Sequence, residues 1–253
     1  MTRFLGAVFV AVLVSGLGSP GRAADDQDVN AVLDKAIKAL GGEEKLGQLK
    51  AHTWKGKGKI TFNGNDNPFT SQATVQGLDH YRAEFEADIM GMQLKGVTVI
   101  SGDKGWRKFG DMKMELDKDG LANEKRNIYL HVVAVTLLPL KGKGFKVEAA
   151  GEDKVGGKPA TGLKVTAPDG KDFKIYFDRE SGLPVKQVAK VMGFMGEEVT
   201  QETTFGDYKD FGGVKKATRI ESKRGGERFL DQETTEFKAL EKVDPKTFAE
   251  PGA

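Results

Sequence analysis

An α+β fold, an antiparallel β meander with one helix at its start and a second inserted midway, follows from three observations on this chain. Alternating apolar runs of strand length recur between residues 51 and 240, separated by glycine-containing turns. Residues 28–42 instead repeat at helical spacing between an aspartate and two glycines. Residues 121–140 hold no turn former until Pro139.

In chain order, an export signal comes first. Arg3 supplies a positive start, residues 4–17 form an apolar run too short to span a bilayer comfortably, and Gly21, Arg22 and Ala23 end it as a cleavage site does. Cleavage is expected after Ala23, leaving residues 24–253 as one β-rich domain of a bacterial periplasm or cell exterior. No second stretch is apolar enough to cross a membrane. With no cysteine there is no lipobox and no disulfide framework, so the core alone must hold the chain together. Losing Arg3 and Arg22 takes the formal net charge from +2 to about zero. Near-neutrality argues against a nucleic-acid partner.

The mature chain opens with a helix that Asp28 caps. Val29, Val32, Leu33, Ile37 and Leu40 form its stripe, and Gly41 with Gly42 stops it. A short turn at 43–49 follows. From Ala51 the period falls to two, with Trp54, Gly56, Gly58, Ile60 and Phe62 on one face and Lys55, Lys57 and Lys59 on the other. Gly56 and Gly58 either leave room for something bound or let the sheet bend, and bending is the reading taken. Tyr81, Ala83, Phe85 and Ala87 repeat the alternation, then Met92, Leu94, Thr98 and Ile100, then residues 105–109 and 112–116. The inserted helix takes Asp119 with Gly120 as its cap and Leu121, Ile128, Val132, Val135 and Leu138 as its stripe, its length outweighing its β-branched residues. Strands resume at 146–150, 159–166, 197–205, 214–223 and 228–240, and a final turn spans 244–248. Between them, residues 173–188 read as a hairpin: Phe173, Ile175 and Phe177 share a face, Gly182 supplies a positive φ, and Pro184 opens the return strand.

The signal, the capped helix, the meander, the inserted helix, GGKPATGLKV (156–165) and YFDRESGLPVKQ (176–187) together resemble the LolA/LolB-like superfamily of periplasmic proteins. The likeness spans nearly all of the mature chain, and its specific part is that pair of segments. It implies a strongly curved antiparallel sheet, an unclosed half-barrel, whose concave face is covered by helices and encloses an apolar cavity. In the superfamily such cavities receive lipoprotein acyl chains or other hydrophobic ligands, and some members act as extracytoplasmic regulators.

The inward strand face offers Trp54, Ile60, Phe62, Tyr81, Phe85, Leu94, Ile100 and Trp106, and the inserted helix adds Ile128, Val132 and Leu138 above them. These either line a pocket for a chain-like ligand or form a plain core. Apolar hairpin tips at 89–92 and 191–196 carry methionines suited to lipid or to a partner surface, or fold back onto the protein. Met90 with Met92 and Met112 with Met114 are paired thioethers of the kind copper(I) favours, or alternate positions sharing a strand face. No cofactor or metal is expected.

Catalysis has little footing. His52, His80 and His131 are far apart, lack zinc spacing, and read as surface or strand-end residues. Glu197, Glu198, Glu202, Glu233 and Glu236 read as wet strand faces. The expected function is noncatalytic binding of an acyl chain or similar hydrophobic ligand, as in lipid or lipoprotein carriage. The alternative is an extracytoplasmic interaction module of the same fold that receives an envelope protein.

Overall fold

The computed structural model describes residues 28–89, 91–193 and 196–252. The expected signal, residues 1–23, lies outside them. Helix α1 (Val29–Leu40) begins at Asp28, whose carboxylate accepts from the Asn30 and Ala31 backbone N–H groups, and ends at Gly41 with φ 137°. Helix α2 (Glu43–Gln48) leads into the first six strands: β1 (Ala51–Phe62), β2 (Asn65–Gln76), β3 (His80–Ile89), β4 (Met92–Ser101), β5 (Lys104–Phe109) and β6 (Met112–Glu115). After α3 (Lys118–Thr136) and a 3-10 turn at Leu138–Lys141 come β7 (Lys146–Val155), β8 (Lys158–Thr166), β9 (Asp172–Asp178), β10 (Pro184–Met192), β11 (Glu198–Asp210), β12 (Lys215–Arg224) and β13 (Glu227–Leu240).

These strands make one antiparallel sheet in the order β6-β5-β4-β3-β2-β1-β13-β12-β11-β10-β9-β8-β7. Each half is a meander, and the halves join where β1 pairs with β13. The two free edges, β6 and β7, are consecutive in sequence apart from α3, so the connection that carries α3 must cross from one edge to the other. That crossing lays α3 over the concave face. The sheet is an antiparallel meander, as the alternation predicts, and is strongly curved and unclosed, as the resemblance implies.

Three local expectations change. Strand β2 was not foreseen, because Asn65, Asn67 and Pro68 mask its alternation. Pro68 is tolerated there because β2 pairs with β3 only from Phe69 onward, so no donor is needed on that side. The cap of α3 is Asp117, not Asp119; its Oδ1 accepts from the Gly120 N–H at 2.8 Å. The helix also stops sooner, at Leu137 with φ 58°, which leaves Leu138 in the 3-10 turn ahead of Pro139.

The hairpin at β9–β10 is as predicted. Asp178 Oδ1 accepts from the Ser181 N–H at 2.7 Å and its hydroxyl at 2.8 Å, and these bonds hold the carboxyl below its usual range. Gly182, at φ 76°, lies against Lys35 and Ala39 of α1, and Lys35 Nζ donates to the Arg179 carbonyl. This turn docks a helix.

Gly56 and Gly58 meet β13 where its register slips between Lys55 and Gly56. A Cβ on Gly58 would collide with the Asp231 carbonyl oxygen, and one on Gly56 would lie 2.8 Å from Gln232 Nε2. Close backbone approach at a bulge is therefore their reason, and the bulge bends the sheet. Gly58→Ala is expected to destabilise by about 1–3 kcal/mol through overpacking against fixed backbone, read as a lower urea midpoint.

Candidate functional site

Residues directly opposite one another on neighbouring strands share a face, so the register maps the concave surface row by row. One row runs His52, Val75, Tyr81 and Ile100; the next runs Trp54, Ala73, Ala83, Thr98, Arg107 and Met114. Further out come Gly56, Ser71, Phe85, Gly96, Phe109 and Met112, then Gly58, Phe69, Ala87 and Leu94. In the second half of the sheet, Ile60 faces Leu230, followed by Ser222, Thr203, Gln187, Ile175 and Leu163.

Helix α3 covers this face and is tied to it by polar contacts at both sides. Arg126, 3 % exposed, donates to the Lys190 carbonyl at 2.6 Å, the Asp172 carbonyl at 2.7 Å and the Asp169 carboxylate at 3.1 Å. Towards the other half, Glu124 accepts from Arg107 of β5 at 2.6 Å.

Beneath α3, Asn127, Leu130, His131, Ala134 and Val135 fall on one helical face and roof a cavity of about 230 Å³. Its floor includes Trp54, Gln187, Thr203, Phe205, Lys216, Ile220, Ser222, Leu230 and Gln232. A second cavity, about 340 Å³, lies between α2 and the end of α3 and is lined by Leu46, Leu49, His52, Val75, Val132, Leu138 and Pro139. The two are separated by a histidine pair. His52 Nε2 lies 3.1 Å from His131 Nε2, and the His131 ring stacks on Trp54 with centroids 4.1 Å apart. His52, the second residue of β1, stands at a strand end as expected but is buried, while His131 is half-buried on α3, which corrects its reading as a surface or strand-end residue. Burial, reinforced by the charge on Lys216, lowers His52 to about 3 and holds His131 well below the ordinary imidazole range. At neutral pH one ring donates and the other accepts.

Lys216 was not foreseen at all. It is 4 % exposed, lines the first cavity, and sits with Nζ 5.7 Å from the Phe237 ring centroid. Among the described residues it has neither a hydrogen-bond partner nor an ion-pair partner. Burial lowers it to about 8, so at pH 7 it carries its charge. Elsewhere in the wall Thr203 pairs with Ser222 at 3.0 Å, and Gln187 Nε2 donates to the Leu130 carbonyl at 3.2 Å.

The expected site residues fall into four places: the cavities, the core, the outer rows of the concave face and the opposite face of the sheet. Trp54 lines the first cavity; Val132 and Leu138 line the second. Ile128 and Ile100 are fully buried in the core, and Tyr81 packs against it with its ring 6.3 Å from Trp54. Phe62, Phe85 and Leu94 lie on the outer rows that α3 leaves open, with Ile60 leading from the cavity wall towards them. Phe85 crosses Phe109 edge to face over Gly96, while Leu94 is 42 % and Met112 64 % exposed. Trp106 is half-buried on the opposite face of β5, outside both cavities, because the row facing α3 takes Gly105 and Arg107 instead. Of the methionine tips, Met92 and Met192 are exposed, and Met90, Phe194 and Met195 lie outside the described residues. Among the described residues no cluster of three histidines or carboxylates could hold a metal, and no helix is long and apolar enough to cross a membrane.

Two of the missed residues had a signal. His52 is two residues before Trp54 on the same strand face, and His131 lies three after Ile128 and four before Val135 on the apolar stripe. Lys216 had none: beside Lys215 it reads as a wet strand start.

No protein family model and no curated protein matches the chain. Solved structures do. A LolA superfamily protein from Nitrosomonas europaea superposes with a TM-score of 0.57 at 10% identity, over 87% of this chain and 96% of that one. A DUF1329 family protein from Desulfovibrio piger gives 0.54 at 13% identity, over 87% and 97%. A candidate outer membrane lipoprotein-sorting protein domain from Vibrio parahaemolyticus gives 0.52 at 9% identity, over 85% and 97%. With the open thirteen-strand sheet, the helix crossing its concave face and these superpositions together, the chain has the fold of the LolA superfamily.

Proposed function

We propose that this protein is an exported, noncatalytic binder of an acyl chain or similarly apolar ligand, held on the concave face of the sheet. The observation that carries the reading is continuity. The cavity under α3 adjoins Ile60 through its partner Leu230, and from there Phe69, Phe85, Leu94 and Phe109 extend an apolar surface that the fold leaves open. Exposed apolar residues scattered singly need no explanation, but a contiguous set on a concave face marks a place where something binds. The cavity, at about 230 Å³, is below the roughly 300–1,000 Å³ of pockets that enclose a drug-sized ligand. A long chain therefore uses the cavity and the open face together. The paired histidines support a noncatalytic role, since each commits Nε2 to the other and their desolvation disfavours the protonated form either would need as an acid.

Native purification, solvent extraction and mass spectrometry are expected to recover an enriched lipid, and fluorescent fatty acids are expected to bind. A protein with no lipid and no such binding would sink the reading, and a defined protein adduct on envelope crosslinking without lipid would favour the interaction module instead. Leu94→Glu with Phe109→Glu is expected to weaken binding of the fluorescent chain by about tenfold or more, since two charges would have to be desolvated beneath it. Because both side chains are exposed, the unfolding free energy from urea titration is expected to stay within about 0.5 kcal/mol of the parent. N-terminal sequencing of the exported protein is expected to begin at Ala24.

A further inference from the structure

An apolar ligand leaves one group in this site unexplained. Lys216 enters the cavity from the start of β12, while Ser222, near the end of the same strand, lies in the row of Leu230 and Ile60. The cavity thus has a cationic end and an end that opens onto the apolar face. Buried charges are ordinarily paired, and this one is not, although the fold holds many surface carboxylates that could have been placed there. The groups around it are neutral: His131 on the roof side, Trp54, His52 and Phe237 on the sheet side, with glutamine, threonine and serine along the wall. A single fixed positive charge with neutral surroundings matches a single negative charge of small size.

Building on the acyl-chain reading, we propose that the ligand is an anionic amphiphile, a long-chain carboxylate bound head-inward, with its carboxylate on Lys216 Nζ and its tail running past Ile220 and Leu230 to Ile60 and the open face. Lys216 is then the residue that sets which apolar molecules are taken. A monoalkyl phosphate carries more charge and a larger head, and one lysine in about 230 Å³ suits it less well.

The experiment compares three probes of equal chain length on the exported protein: cis-parinaric acid, its methyl ester and the corresponding monoalkyl phosphate, the last read by displacement. The acid is expected to bind at least about tenfold more tightly than the ester, as a charge-assisted hydrogen bond would give. Lys216→Met is expected to remove that preference by weakening the acid alone, and Lys216→Arg to keep it. Equal binding of acid and ester by the unmodified protein overturns the head-inward proposal while leaving the acyl-chain reading in place. Tighter binding of the phosphate overturns the carboxylate assignment, and binding of none of the three overturns both readings.

Discussion

Arg126→Ala is expected to lower the unfolding free energy by about 3 kcal/mol, at the lower end of the range for breaking a buried ion pair. The side chain is 3 % exposed and its guanidinium directs three donors to the Lys190 carbonyl of β10, the Asp172 carbonyl at the start of β9 and the Asp169 carboxylate of the β8–β9 turn. Truncation leaves all three acceptors short of a donor. The value sits at the lower end because Asp169 retains the Lys171 N–H at 2.9 Å and some contact with water. Arg126→Lys keeps the charge but cannot reach all three acceptors with one ammonium, so its stability should fall between those of the parent and the alanine variant. Urea unfolding at constant m-value measures each. A loss under about 1 kcal/mol for the alanine variant would mean that α3 is not anchored through this residue. The functional consequence is coupled to the structural one, since α3 is the roof of the cavity: a loosened roof should exchange fluorescent ligand faster.

The anchoring residue shows why some of the fold could be read from sequence and some not. Periodicity reports where apolar groups go. It placed α1, the inserted helix and most strands within a few residues, because Trp54, Ile60, Phe85 and Leu94 alternate and Ile128, Val132 and Val135 recur at helical spacing. It was silent on β2, whose first residues are polar and whose Pro68 depends on where β3 stops pairing. It carries no signal for charged and polar residues that the fold buries. Arg126 stands between Lys125 and Asn127 on the helix, and nothing local says that the β8–β9 turn will bring Asp169 to meet it, since the two are joined only by the crossing of α3. Lys216 and the histidine pair are of the same kind. Their surroundings are assembled by contacts between β1, α3 and β12, distant in sequence, and the candidate site was legible only in its apolar part.

Those same buried polar groups dictate the pH profile of stability. His52 has a folded pKa of about 3 against 6.5 for an ordinary imidazole, so between those values the unfolded chain binds the proton that the folded chain refuses. Stability is therefore fully present above pH 6.5 and is lost as pH falls, by about 1.4 kcal/mol per unit, on the order of 4 kcal/mol by pH 3 from this residue alone. His131 is lowered for the same cause and acts in the same direction. The interval from pH 6.5 to 5 isolates the effect, because carboxylates of ordinary pKa are still ionised there in both states. At the other end, Lys216 has a folded pKa of about 8 against 10.5. The folded state bears the full cost of its charge below pH 8 and is relieved of it as pH rises from 8 to 10.5. Lys216→Met, which deletes the charge and fits an apolar side chain of similar length, is expected to raise stability at pH 7 by about 3 kcal/mol and to flatten the rise above pH 8. His52→Phe with His131→Phe is expected to flatten the acid side between pH 6.5 and 5 while leaving the alkaline side unchanged. Urea midpoints across pH 4–10 read all of these. A Lys216→Met protein no more stable than its parent would mean that the lysine is neutralised by something in the folded state. One that gains stability while losing its preference for the carboxylate would locate, in a single side chain, a binding determinant that the unliganded fold holds against its own stability.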